Sequence, residues 1–303
     1  MDALLEPAMA EKPALQPKSA IGPVMRAIAA NNLAQARAAI TDPERSSEDA
    51  VHEFRRAMKE WRALMRLLAP FIPDAARWRR EARDYARSLA QARDGAAALN
   101  AFDGLIDKGI LVISARSSET IRGRIQALRA SEERSVLTPA LRDQIITWLD
   151  TAAAAVEQWP LDPFDFSSIA AQLTAGYRDA RRRIPSDWSA ANAAELHILR
   201  QRVVNLRYQM ELIEPLWPRF GRMWTEEAER LRGRLGQCQD LEVLKRLTDP
   251  HQPLAHWRSR LAPAIAERST GLAHRAARIA HRLFAERPKS FRQRLETLWE
   301  HAR

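Results

Sequence analysis

Residues 51–73 read VHEFRRAMKEWRALMRLLAPFIP, and residues 196–218 read LHILRQRVVNLRYQMELIEPLWP. At a constant offset of 145 positions the two stretches share a histidine, two arginines and a Pro-x-x-Pro ending. Their apolar residues recur every three or four positions, which is the period of an amphipathic α-helix. Apolar spacing alone would match between any two such helices, whereas the polar matches in one register would not. The two stretches therefore predict an internally repeated helical protein.

The repeat continues beyond these helices and divides the chain. One inserted residue changes the offset to 146, after which Trp78 aligns with Trp224. Between the halves, the stretch WPLDP at 159–163 places two prolines where a helix interior does not accommodate them. We therefore predict one unit over about residues 19–160 and a second over about 161–303. Residues 1–18, rich in proline and alanine, are predicted to form a disordered arm.

The composition favours an all-α fold. Apolar residues make up 46% of the 303 residues, which is enough for a core, and glycine occurs only 10 times. So little glycine argues against nucleotide-binding loops and turn-rich β architectures. No stretch sustains the period-two alternation of a strand. We predict helices near 20–40, 47–69, 74–103, 110–131, 138–159, 166–184, 189–214, 219–247, 253–286 and 289–302.

The charge balance favours an anionic partner. The formal net charge is +10, and only six of the 48 Lys and Arg residues are lysine. The arginine side chain presents a rigid fork of donors that fits phosphate and carboxylate groups. Cys238 is the single cysteine, which excludes an intramolecular disulfide and a multi-cysteine zinc site. Without a secretory signal or an apolar run of about 18 residues, the sequence predicts a cytoplasmic protein that does not span a membrane.

The first repeated helix separates its charges from its apolar residues. On a helical wheel with 100° per residue, one histidine and five cations share a stripe that is roughly 120° wide and about 21 Å long. The stripe consists of His52, Arg55, Arg56, Lys59, Arg62 and Arg66. A linear polyanion complements it, because each bound phosphate relieves repulsion between neighbouring cations and releases counterions. A solvated basic face without a ligand is the structural alternative.

The second repeated helix carries a weaker stripe. Val204 and Glu211 stand where Lys59 and Arg66 stand in the first helix, so we expect the first unit to contribute more to anion binding. The stripe retains His197, Arg200, Arg207 and Tyr208.

Three motifs together resemble the conserved histidine α-helical domain (CHAD) family. They are His-x-x-Arg-x-x-x-Lys-x-x-Arg over 52–62, its echo over 197–208, and Leu-Gly-x-x-x-Asp-Leu over 235–241. The resemblance covers about residues 20–303. It implies two four-helix bundles related by a pseudo-twofold axis, with inorganic polyphosphate bound in a basic groove or pore between them. It also implies association with polyphosphate granules, as in many bacteria, and a stand-alone version without an N-terminal CYTH domain.

The resemblance extends to individual positions of both helices. Glu60, Val204 and Asn205 depart from it, since the family usually has basic residues there. The positions that match are His52, Arg55, Lys59, Arg62, Arg66, His197, Arg200, Arg207 and Tyr208.

The sequence lacks the motifs of the common phosphate-processing enzymes. It contains no Gly-rich phosphate loop ending in Lys-Ser or Lys-Thr, no His-Glu-x-x-His and no adjacent His-Asp pair. We therefore predict no metal, no cofactor and no catalytic activity, with the histidines as hydrogen-bonding members of the groove. Two alternatives stay open. A nucleic-acid-binding helical protein is compatible with the net charge, and a polyphosphate-processing enzyme is less compatible because a carboxylate cluster for magnesium is missing.

Overall fold

The computed structural model describes residues 13–16, 19–89, 93–132 and 137–302. Within these ranges all regular secondary structure is α-helical apart from two short 3-10 turns, so the prediction of an all-α fold is confirmed. None of the helices in these ranges combines the length and apolar character of a membrane span. The helices are α1 (Ile21–Thr41), α2 (Ser47–Leu67), α3 (Ala75–Ser88), α4 (Arg93–Asp107), α5 (Ala115–Glu132), α6 (Pro139–Glu157), α7 (Phe166–Arg182), α8 (Ala193–Glu211), α9 (Pro218–Arg246), α10 (Arg258–Leu283) and α11 (Pro288–Ala302).

Four helix predictions differ from the structure, two of them because α5 and α10 begin five residues later than expected, at Ala115 and Arg258. The stretch 74–103 was expected to be one helix, but α3 ends at Ser88 and α4 begins at Arg93, with residues 90–92 outside the described ranges. The helix expected from residue 189 begins later because Asn192 caps it. The Asn192 side chain accepts from the backbone N–H of Glu195, whose carboxylate accepts in turn from the backbone N–H of Asn192. This reciprocal pair satisfies two donors at the helix start.

The hydrophobic core consists of two clusters, and both halves of the chain contribute to each. The larger cluster joins α1, α2, α3, α6, α7, α8 and α11 with the beginning of α9 and the end of α10. The smaller cluster joins α4 and α5 with the end of α9 and the beginning of α10, through residues such as Phe102, Ile121, Leu244 and Leu261. The sequence units 19–160 and 161–303 are thus interlocked by α4 and α5 and do not have separate cores.

The beginning of the chain is partly built into the fold. Leu15 is fully buried in the larger cluster, although residues 1–18 were predicted to be a disordered arm. An apolar side chain gains free energy from such burial, which the proline- and alanine-rich composition around it conceals. Residues 1–12 and 17–18 lie outside the described ranges, so the prediction for them concerns residues the structure does not describe.

The linker at 159–163 is non-helical, as its prolines predict, and it is fastened to α1. Gly22 allows the contact, because a Cβ atom at this position would lie 2.1 Å from the carbonyl oxygen of Leu161. Arg26 Nη1 donates to the carbonyl oxygen of Trp159 at 2.7 Å. The Trp159 ring packs against that of Trp61, with the ring centroids 5.9 Å apart. The linker therefore belongs to the core.

Candidate anion-binding site

Helix α2 carries the first basic stripe because its two faces differ in chemistry. Ser46 caps its start by accepting from the backbone N–H of Asp49 at 3.1 Å. One face buries Phe54, Trp61 and Met65 completely. The cations of the stripe are excluded from this face and lie on the opposite side, where they are exposed or half-buried.

Helices α2 and α8 pack against each other, and two clefts flank this contact. Gln209 on α8 donates from Nε2 to the carbonyl oxygen of Ala63 on α2 at 2.9 Å, so a buried side chain ties the two helices together. The two helices thus contribute different residues to each cleft. The two repeated helices therefore contact each other directly.

The first of these clefts, which we call the arginine cleft, is lined by Arg66, Arg79, Asp179 and Arg202, and it encloses about 230 Å³. Asp179 on α7 is the only carboxylate of its lining and pairs with Arg202 Nε at 2.7 Å. The buried Nε of Arg66 has no hydrogen-bond partner among the described residues. The lining therefore has more positive than negative charge and an unsatisfied donor.

Helix α3 extends this positive surface along α2. The pKa of Arg62 is lowered by burial and then by the charges of Arg83, Arg79 and Arg87 on α3. Burial likewise lowers the pKa of Arg66 to about 10, followed by the charges of Arg79, Arg202 and Arg62, while Asp179 opposes the shift. Both guanidiniums remain charged at neutral pH. Their lowered pKa values reflect burial first and then repulsion by the neighbouring arginines, and a bound anion would relieve the repulsion.

The second cleft, which we call the paired cleft, is larger, about 640 Å³, but its cations are neutralised. Arg207 is only 17% exposed and contacts Glu211 at 2.5 Å and Glu229 at 3.3 Å. Its guanidinium also lies 4.2 Å from the ring centroid of Tyr208. Arg56, on the α2 side of the cleft, pairs with Glu53 at 2.6 Å.

The remaining predicted residues lie on α2 and at the contact of α8 with α9. His52 is exposed, and Arg55 and Lys59 are half-buried along α2. His197 Nδ1 is 3.2 Å from Gln239 Oε1, and its Nε2 is 2.7 Å from the Gln201 amide. Arg200 lies across Gly236, with its Nε 3.5 Å from where a Cβ atom would be.

The ten predicted residues therefore do not form one surface. The structure brings Arg62 and Arg66 together, and it places Arg207 and Tyr208 in the paired cleft. His197 and Arg200 contact α9 instead.

Four arginines near the arginine cleft were missed from the sequence. Arg79, Arg83 and Arg87 have the i, i+4, i+8 spacing of one helix face, a signal that was readable. The place of Arg202 in the cleft could not be predicted from the sequence, because on a helical wheel of α8 alone it lies beside the apolar side. In the structure that side of α8 packs against α7, and Arg202 forms an ion pair with Asp179 on α7.

The described residues give no indication of a metal centre. No group of three His, Cys, Asp or Glu side chains within the described ranges is arranged to hold a metal ion.

The comparisons with known proteins agree with the fold. The family model described as CHAD domain matches residues 27–249. The chain also resembles the crystal structure of the CHAD domain from the plant Ricinus communis, with a TM-score of 0.60 and 20% sequence identity. That likeness covers 93% of this chain and 98% of the other. No match was found among curated proteins.

Proposed function

The chain belongs to the CHAD domain family, and we propose that it binds inorganic polyphosphate, without turning it over, at the arginine cleft and the adjoining basic face of α2. One observation carries this proposal: Arg66, Arg79 and Arg202 converge on a half-buried cleft that holds a single carboxylate. Polyphosphate is also the ligand that the family resemblance implies.

The shape of the positive surface favours a flexible phosphate chain. The stripe on α2 is about 21 Å long and leads from exposed His52 to recessed Arg66. A polyphosphate chain carries a charge on every phosphate and has no bulky groups. It can therefore follow Arg55, Lys59 and Arg62 along the helix and end between α2 and α3, where the arginines of both helices repel one another.

Nucleic acids fit this surface less well. Proteins that bind single strands stack the bases on aromatic side chains, in addition to holding the backbone. The arginine cleft has no aromatic side chain among its described lining residues. A duplex is too wide to enter a cleft of about 230 Å³ between packed helices. The cleft therefore supports phosphate contacts without base contacts.

A protein that binds polyphosphate in this way would localise to polyphosphate granules, which is the location that the resemblance implies. Storage, protection and targeting of the polymer are all compatible with this binding mode. Incubation with the polymer would test the absence of turnover, because a binding protein releases no orthophosphate.

The decisive experiment is competition binding among long-chain polyphosphate, duplex DNA and single-stranded RNA. We expect polyphosphate to displace both nucleic acids, and the double variant Arg66→Ala/Arg79→Ala to lose most of its polyphosphate affinity. Arg37→Ala/Arg230→Ala is the matched control, because these two cations already pair with Asp150 and Glu227 and line neither cleft. Preference for a nucleic acid, or an equal loss in the control, would overturn the proposal.

A further inference from the structure

A second group of arginines lies between α9 and α10, away from the arginine cleft. The two helices run antiparallel, because the beginning of α9 packs with the end of α10 and the end of α9 with the beginning of α10. Near one end of this contact, Glu227 on α9 pairs with Arg282 on α10 at 3.5 Å. Opposite charges thus face each other at this level.

Two turns from this pair, in the same direction along both helices, the equivalent position of each helix carries an arginine. Seven residues return a helix to nearly the same face, so Arg234 follows Glu227 and Arg275 precedes Arg282. Arg268 lies another seven residues earlier on α10. All three arginines are half-buried, and none makes an ion pair with a described residue.

The guanidinium of Arg275 lies back along its own helix. A Cβ atom at Gly271, one turn earlier, would lie 3.4 Å from a terminal nitrogen of Arg275, so this guanidinium contacts residue 271, which lies between Arg275 and Arg268 in the sequence. Burial lowers the pKa of Arg268, and the charges of Arg275 and Arg234 lower it further. Arg275 and Arg234 therefore lie close enough to Arg268 for their charges to act on it.

We propose that Arg234, Arg268 and Arg275 form a separate binding site for one compact phosphate group. Three guanidiniums from two helices can surround a tetrahedral dianion and satisfy several of its oxygens, and the bound charge offsets their mutual repulsion. The group is compact, whereas the stripe on α2 is extended, so it suits orthophosphate, pyrophosphate or a terminal phosphate.

The site does not rest on the proposed polyphosphate function. Two of its three arginines lie on α10, beyond residues 27–249 that match the family model. It can exist whether or not the arginine cleft binds a polymer.

Calorimetric titration with pyrophosphate tests the site in a background that lacks the other one. In the double variant Arg62→Ala/Arg66→Ala we expect saturable binding at one site to persist. Adding Arg275→Ala should weaken it at least tenfold. Adding Arg282→Ala should change it less than twofold, because this exposed arginine lies on the same side of α10 and already pairs with Glu227. Circular dichroism verifies that each variant is folded.

A second variant removes the geometry and keeps every charge. Gly271→Leu fills the space under the Arg275 guanidinium, and we expect it to weaken pyrophosphate about fivefold. Parallel titrations with orthophosphate and with end-blocked polyphosphate identify the source of the phosphate. A site for a free phosphate ion binds orthophosphate and does not bind the end-blocked polymer. Absence of pyrophosphate binding in the double variant would overturn the proposal, as would equal losses in Arg275→Ala and Arg282→Ala.

Discussion

The two sides of the contact between α2 and α8 have related sequences and different charges. In the sequence register of the repeat, Arg62 corresponds to Arg207 and Arg66 to Glu211. On the packed neighbouring helix, Arg83 of α3 corresponds to Glu229 of α9. The first side therefore gathers cations, whereas on the second side one cation lies between two carboxylates. Two acidic positions turn a potential binding surface into an internal ion-pair network.

The two sides also differ in what they need from a ligand. Arg207 forms ion pairs with Glu211 and Glu229, so an anion would have to compete with both carboxylates for it, although its buried Nε, like that of Arg66, makes no hydrogen bond to a described residue. Arg66 has an unsatisfied buried donor and repulsive neighbours, so an anion improves its surroundings. The difference predicts that binding and stability depend on opposite sides of the molecule.

The largest expected effect is that of salt, and it belongs to the first side. With about four phosphate contacts at roughly 0.7 counterions each, polyphosphate affinity should fall on the order of 50-fold between 50 and 200 mM salt. Arg66→Ala should reduce the slope of log affinity against log salt by about one contact. Arg207→Gln should leave it unchanged. Fluorescence titrations at several salt concentrations measure the slopes, and an affinity independent of salt would contradict binding through phosphates.

The second-largest expected effect is that of charge reversal on polyphosphate affinity, compared between Arg62 and Arg207. Arg62→Glu removes a charge-assisted contact and adds repulsion, which should cost about 10- to 30-fold in polyphosphate affinity. Arg207→Glu should cost less than about threefold, because this guanidinium is already neutralised. Binding isotherms of the two folded variants give the comparison directly. Equal losses, or a larger loss at Arg207, would refute the asymmetry.

The free energy of unfolding should depend more on Arg207 than on Arg62, which is the reverse of the order expected for polyphosphate affinity. Arg207→Gln leaves the half-buried Glu211 without this partner and Glu229 with Arg232, and should lower the free energy of unfolding by about 1 kcal/mol. Arg62→Gln removes repulsion and should leave that free energy unchanged or raise it by a few tenths of a kcal/mol. Urea denaturation without ligand checks both values. A larger destabilisation by Arg62→Gln would mean that the arginine cleft is a structural network as well.

The smallest effect should come from partly restoring the second side. Glu211→Gln removes one of the two carboxylates that hold Arg207, and we expect polyphosphate affinity to rise about threefold, as for a gain of roughly 0.6 kcal/mol. The matched substitution Glu227→Gln lies outside both clefts and should have no such effect. An unchanged affinity in Glu211→Gln would show that the geometry of the paired cleft, and not only its charge, excludes the polymer.

Some of these features follow from the sequence and others do not. Local periodicity predicts the helices and the separation of Arg62 and Arg66 from Trp61 on α2. The pairing of Arg207 with Glu229 depends on how α8 meets α9, and the position of Arg202 depends on how α7 packs beside it. Such contacts join residues distant in sequence, and the period of one helix contains no information about them.

The interlocked core also affects the order of events during synthesis. Phe102, Ile121 and other apolar residues of α4 and α5 are covered by the end of α9 and the beginning of α10. At about 5 to 20 residues per second, the ribosome needs on the order of 5 to 20 s to proceed from α5 to that part of α9. During this delay the nascent chain presents an uncovered apolar surface, on which chaperones and aggregation compete.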